Sequence, residues 1–86
     1  MAVYRVELAP AAERQLSKLS PKDREMVAAA IVTLASNPRP KGCAKLSGAE
    51  DLWRLRVRRY RVIYRILDKR LIVTVVKIGD RREVYR

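Results

Sequence analysis

Arg54 and Arg56 stand two residues apart in the run Leu52-Trp53-Arg54-Leu55-Arg56-Val57, so an extended chain sends both guanidinium groups from one face. Arg61 follows a turn short enough to return its side chain to the same neighbourhood. Near the C-terminus Gly79 releases the chain into Asp80-Arg81-Arg82-Glu83-Val84-Tyr85-Arg86, which adds further guanidinium groups and a phenol. A guanidinium is planar, permanently charged and grips phosphate through a two-pronged fork. Cations gathered this closely repel one another unless a polyanion sits among them. The chemistry on offer is phosphate binding, and what is missing narrows it further. The chain has no His, which excludes Ser-His-Asp and Cys-His hydrolases and zinc sites built on His. Cys43 is the single cysteine, so neither an internal disulfide nor a thiolate cage is available. The C-terminal half has no acidic cluster to hold a divalent cation. No metal and no cofactor is expected.

The charge is placed unevenly. Of 20 Lys and Arg against nine Asp and Glu, net +11, twelve basic and three acidic residues fall in 52–86, leaving only net +2 for 1–51. Ten of those twelve are Arg, which favours nucleic acid as the polyanion. Two plainer readings stay open: alternating Arg as the solvated face of a strand, and a basic surface that meets an acidic protein.

The elements that position these residues follow from periodicity. Val3 to Leu8 alternates as an outer strand with Tyr4, Val6 and Leu8 on one face. Pro10 opens a short helix to about Leu19 on the stripe Ala12, Leu16 and Leu19. Ser20-Pro21-Lys22-Asp23 caps a second helix, with Val27, Ala30, Ile31 and Leu34 as its apolar stripe. Asn37-Pro38-Arg39-Pro40 ends it. Residues 37–51 read as a loop. After it the period becomes two: Trp53, Leu55 and Val57 oppose Arg54, Arg56 and Arg58, then Tyr60 to Leu67 forms a second strand, and Leu71 to Ile78 a third, apolar except at Thr74 and Lys77. Connections of two or three residues make these an antiparallel meander. The expected fold is α+β with the order βααβββ, a mainly antiparallel sheet against a helix pair, and periodicity leaves open where the first strand joins. Eighty-six residues accommodate one domain, 1–86. Without a signal peptide or an apolar span, the expected location is cytoplasmic, with no membrane partner.

Several stretches together resemble the RelE/ParE superfamily of type II toxins, and within it the RelE-like messenger-RNA endonucleases. They are Asn37-Pro38-Arg39-Pro40, Lys45-Leu46-Ser47-Gly48, Leu52-Trp53-Arg54-Leu55-Arg56, Tyr60-Arg61-Val62-Ile63-Tyr64-Arg65-Ile66 and Gly79-Asp80-Arg81-Arg82-Glu83-Val84-Tyr85. The resemblance covers nearly the whole chain. It implies a toxin that cuts mRNA in the ribosomal A site and is silenced by a cognate acidic antitoxin, the complex binding operator DNA through that antitoxin. The family's catalytic positions match Arg54, Arg56, Arg61, Arg81 and Tyr85. Lys41, Lys45, Arg58, Arg65 and Arg82 are expected to add RNA contacts.

Two departures from the family pattern are visible. RelE-type members often carry Lys at the two first-strand positions; Arg56 keeps its proton and is a poor base. Either the site works by electrostatics and orientation, or Tyr85 takes the proton, or the chain is a weak nuclease. Arg58-Arg59 replaces the Gly-Asp common before the Tyr-Arg strand, which strains a turn that needs positive φ or demands a wider one. Trp53 and Tyr64 are expected in the core, Tyr60 in either setting, and Cys43 without a role. The alternative from a different class is a ParE-like inhibitor of DNA gyrase; a non-enzymatic RNA-binding module is the third reading.

Overall fold

The computed structural model describes residues 3–48 and 51–80. The elements run β1 (Arg5–Leu8), α1 (Pro10–Ser17), α2 (Pro21–Thr33), β2 (Cys43–Lys45), β3 (Leu52–Val57), β4 (Tyr60–Leu67) and β5 (Ile72–Asp80), with a 3-10 turn at Asp68–Arg70 before β5. All five strands form one sheet in the order β1-β5-β4-β3-β2. The expected βααβββ order holds with one addition. β2 lies inside the segment read as a loop, where it pairs antiparallel with β3 from Cys43 opposite Leu55 to Lys45 opposite Trp53. Three residues are too few to show a period, so backbone pairing rather than pattern makes it a strand.

β1 joins at the far edge, parallel to β5, with Arg5 opposite Ile72 and Leu8 opposite Val75. The two helices form the crossover that begins this arrangement. Pro10 occupies the first turn of α1, where its missing N–H costs nothing. Ser20 caps α2, its Oγ accepting from the Asp23 N–H at 3.3 Å. The Asp23 carboxylate does not close the box by turning back to the cap. It accepts instead from the Tyr60 hydroxyl at 2.6 Å and ties α2 to the start of β4.

Ala12 of α1, Val27, Ile31 and Leu34 of α2 and its end, and Leu55, Val62, Tyr64, Ile66, Val73 and Val75 of the sheet form one buried core. Tyr64 is wholly buried and its hydroxyl donates to the Pro38 carbonyl at 2.8 Å, so the chain after α2 is fixed to the sheet centre. Trp53 packs at the core margin, its ring 5.0 Å from the Arg39 guanidinium carbon. Arg39 in turn grips Asp68 with both Nη atoms, at 3.2 and 2.7 Å, and Tyr4 donates to the same carboxylate at 2.7 Å. One exposed cluster thereby joins the start of the chain, the segment after α2 and the β4–β5 connection. That connection is four residues, 68–71, longer than expected, and ends on Leu71 at φ 55°.

Candidate functional site

The β3–β4 register decides the geometry. Arg56 lies directly across from Arg61, Arg54 from Ile63, and Leu52 from Arg65. Directly opposed residues leave the sheet on the same side, with Cβ atoms about 4.5–5.5 Å apart. Leu55 pairs with Val62 and Trp53 with Tyr64 on the other side, which is the side the helices cover. Arg54, Arg56 and Arg61 therefore share the face away from the helices. Two like charges across one ladder oppose pairing, and an anion held between them removes that cost.

These are not three equivalent solvated side chains. Arg56 is exposed, Arg54 half-buried, and Arg61 only 9% exposed. The Arg54 Nε is buried and has no hydrogen-bond partner among the described residues. A buried donor left unmade costs free energy that a bound acceptor recovers. That distinguishes the face from an ordinary alternating-Arg strand.

The remaining expected residues are placed as follows. Arg65 shares the cationic face two residues beyond Ile63, and its Nε meets the Asp51 carboxylate at 3.0 Å. Arg58 is exposed in the β3–β4 turn. Lys41 is exposed in the turn before β2. Lys45 pairs across from Trp53, so the register puts it on the side of the sheet opposite Arg54. Arg81, Arg82 and Tyr85 lie outside the described residues. The β3–β4 turn has two central residues, Arg58 and Arg59, and only Arg58 takes positive φ, at 54°.

Two residues escaped the sequence reading. Arg59 is exposed but bridged to two acids, its guanidinium 3.4 Å from Asp80 and 3.9 Å from Asp23, and it donates a 3.1 Å hydrogen bond to the Tyr60 hydroxyl. That bond and the two carboxylates raise its pKa further above the usual arginine value. Tyr60 itself is 3% exposed, and its donation to Asp23 pushes its own pKa up. Beside this cluster lies a cavity of about 520 Å³ whose lining includes Gln15, Leu19, Asp23, Tyr60 and, from the end of β5, Lys77 and Ile78. Lys77 is the second missed residue: it pairs across from Ile63, on the cationic face. Its isolation in an apolar strand was visible in the sequence; its side of the sheet was not.

The family model of the ParE toxin of the type II toxin–antitoxin system parDE matches residues 6–85. The chain belongs to this toxin family. Its relatives with the RelE name are also close: the mRNA interferase toxin RelE of Escherichia coli is 29% identical, covering 95% of this chain and 90% of that one. Among solved structures, the archaeal RelE–RelB complex of Pyrococcus horikoshii aligns at a TM-score of 0.82 with 27% identity, over 92% and 96% of the two chains. The RelBE2 toxin–antitoxin complex of Mycobacterium tuberculosis aligns at 0.82 with 26% identity, over 93% and 100%. The toxin-family chain therefore carries its cationic face on a RelE-like α+β fold.

Proposed function

We propose that this toxin-family chain is an endoribonuclease that cuts mRNA on the ribosome, and that a cognate antitoxin silences it. The observation that supports this reading is the convergence of Arg54, Arg56 and Arg61 on one face, with a buried, unsatisfied Arg54 Nε aimed at nothing else described. The RelE relatives, named as mRNA interferases, supply the substrate class.

In the proposed reaction the ribose 2′-hydroxyl gives up its proton to the Tyr85 phenolate or to water as it attacks the adjacent phosphorus, closing the 2′,3′-cyclic phosphate. The P–O5′ bond breaks, and the 5′-oxygen takes a proton from water. Charge grows on the non-bridging oxygens as the phosphorane forms. Arg61 and Arg54 meet that charge with fixed donors, which need no reorganisation because the sheet already holds them. Arg56, permanently charged, binds and orients the phosphate rather than acting as base. Arg81, equally permanently charged, neutralises the charge that grows on the leaving oxygen, and Tyr85 stacks on a base or orients the 2′-hydroxyl. The antitoxin in this reading is an acidic chain that wraps the helix pair and the basic sheet; the complexes of relatives with RelB-type antitoxins support the existence of an antitoxin partner.

The match to a ParE-type family model favours a second reading, inhibition of DNA gyrase without nuclease chemistry. One experiment separates them. The purified chain is added to an in vitro translation reaction, with primer extension on the message, and in parallel to a gyrase supercoiling assay. Discrete cuts inside codons with supercoiling intact are expected. Blocked supercoiling with an uncut message overturns the nuclease reading.

A further inference from the structure

The β5 border of the cationic face holds a feature that the reaction above leaves unused. β5 pairs with β4 from Ile72 to Val75 and again from Lys77 to Asp80, and the register shifts by one residue at the Ile63/Tyr64 step, leaving Val76 as the extra residue. An extra residue on one strand inverts the alternation of side chains beyond it. Val73 and Val75 face the core before the shift and Ile78 faces it after, all three buried. Without the bulge, position 77 would follow 73 and 75 into the core and Ile78 would take the open side. The bulge is therefore what turns Lys77 onto the face of Arg54, Arg56 and Arg61.

It also sets what surrounds Lys77. Ile63 is flanked by Arg54 on one side and Lys77 on the other, both directly opposed to it. One pair along, Arg61 is flanked by Arg56 and by Gly79, which offers no side chain. Lys77 and Arg61 are diagonal neighbours, about 7–8 Å apart at the backbone. Cations thus border a floor made of Ile63 and Gly79. The Lys77 side chain is exposed and makes no hydrogen bond or ion pair with another described residue.

We infer that Lys77 is a substrate-binding residue of this site, holding an RNA phosphate beside the one held at Arg61, in a position created by the β5 bulge. The identity of the substrate rests on the proposed nuclease reading; the placement rests on the register alone. A lysine suits the role because its mobile point charge holds a phosphate without dictating the angle, while the forked Arg61 sets the geometry of the reacting group. A lysine present only to keep a long apolar strand soluble would contribute no more to RNA binding than Lys22, exposed on α2.

The test uses a single-stranded 2′-O-methyl RNA, which binds but offers no 2′-hydroxyl, titrated over a series of salt concentrations. Each phosphate contact on a single strand adds about 0.7 to the slope of log affinity against log salt. Lys77→Ala should lower that slope by about 0.7, Lys77→Arg should restore it, and Lys22→Ala should leave it unchanged. On programmed ribosomes with ordinary message, Lys77→Ala should raise KM with kcat retained. Several results overturn the inference: an unchanged slope, a loss that Lys77→Arg does not restore, an equal loss with Lys22→Ala, or a wild-type chain that does not bind the probe. Wild-type binding with the slope change but no ribosomal cut keeps Lys77 and overturns the nuclease reading; ribosomal cutting without the slope change does the reverse.

Discussion

At the scale of single residues, burial separates side chains that pattern alone treats alike. Arg56 and Arg61 occupy opposed positions, yet one is exposed and the other sits at 9% exposure, so their substitutions test different things. Arg56→Ala should abolish growth arrest on induction while moving the unfolding free energy by no more than about 0.5 kcal/mol. Leu55→Ala, one residue away but 8% exposed and on the helix side, should cost about 2–5 kcal/mol in urea denaturation. If Arg56→Ala stays toxic, its place in the site is wrong. Asp68 offers a test of stability instead. The Arg39 guanidinium, followed by the Tyr4 hydroxyl, holds its carboxyl at about 2 against an ordinary 3.8. The folded chain therefore gives up this proton more readily than the unfolded one, so the contribution is complete above 3.8 and drains away as pH falls through 2. Thermal midpoints of the wild type should fall across that window, and Asp68→Asn, less stable at neutral pH, should show a flatter acid limb. The cationic residues of β3 and β4 were legible because Arg alternates with apolar residues there. The roles of Arg39, Arg59 and Asp68 were not, because their ion-pair partners lie 21 residues or more away in the chain (59 to 80 is the shortest such separation) and no local period records them.

At the scale of elements, what could be read was whatever carries its own period or cap. The Ser20 cap, the Pro10 start and the alternation of β3 and β4 each follow from a few adjacent residues. β2 was missed because three residues have no period, and the partner of β1 was undecidable because alternation names a face and not a neighbour. The β5 bulge was hidden for a different reason: in a strand apolar on both faces, inverting the alternation changes little in the pattern, and only Lys77 records it. The β3–β4 turn shows where sequence raised the right question. Strain was expected for two non-Gly residues or else a wider turn; the connection is tight, and Arg58 alone takes the left-handed region. A non-Gly residue there costs about 1–2 kcal/mol, part of which glycine returns through its freer unfolded chain. Arg58→Gly should therefore raise the unfolding free energy by about 0.5–1 kcal/mol, read from the urea midpoint at unchanged m-value. A lower midpoint would show that the Arg58 side chain stabilises the turn by more than its backbone costs.

At the scale of the whole molecule, the helix pair and the cationic face lie on opposite sides of one sheet, so the core that stabilises the fold and the charges proposed to bind substrate do not compete for the same positions. This division lets a net +11 chain fold around an apolar core while its Arg residues gather on the opposite face. It also sets the terms of catalysis. On the proposed nuclease reading, a chain without His, with one Cys, and with acids scarce in its C-terminal half draws its nucleophile from the substrate and its charge stabilisation from guanidinium groups. Cleavage should then persist when the toxin is treated with EDTA and only the Mg²⁺ required by the ribosome is restored. The products should end in a 2′,3′-cyclic phosphate and begin with a 5′-hydroxyl. Because Arg56 is a poor base, free RNA should be cut slowly, and the ribosome should supply the in-line alignment of the 2′-hydroxyl, an effect that orientation can raise to about 7–11 kcal/mol. The comparison that checks this sets ordinary message against message 2′-O-methylated at the cut site, on the same programmed ribosomes. Resistance of the methylated message is the expected outcome; cleavage at an equal rate would mean that the nucleophile is not the 2′-hydroxyl, and that the arginines serve some other attack on the same phosphate.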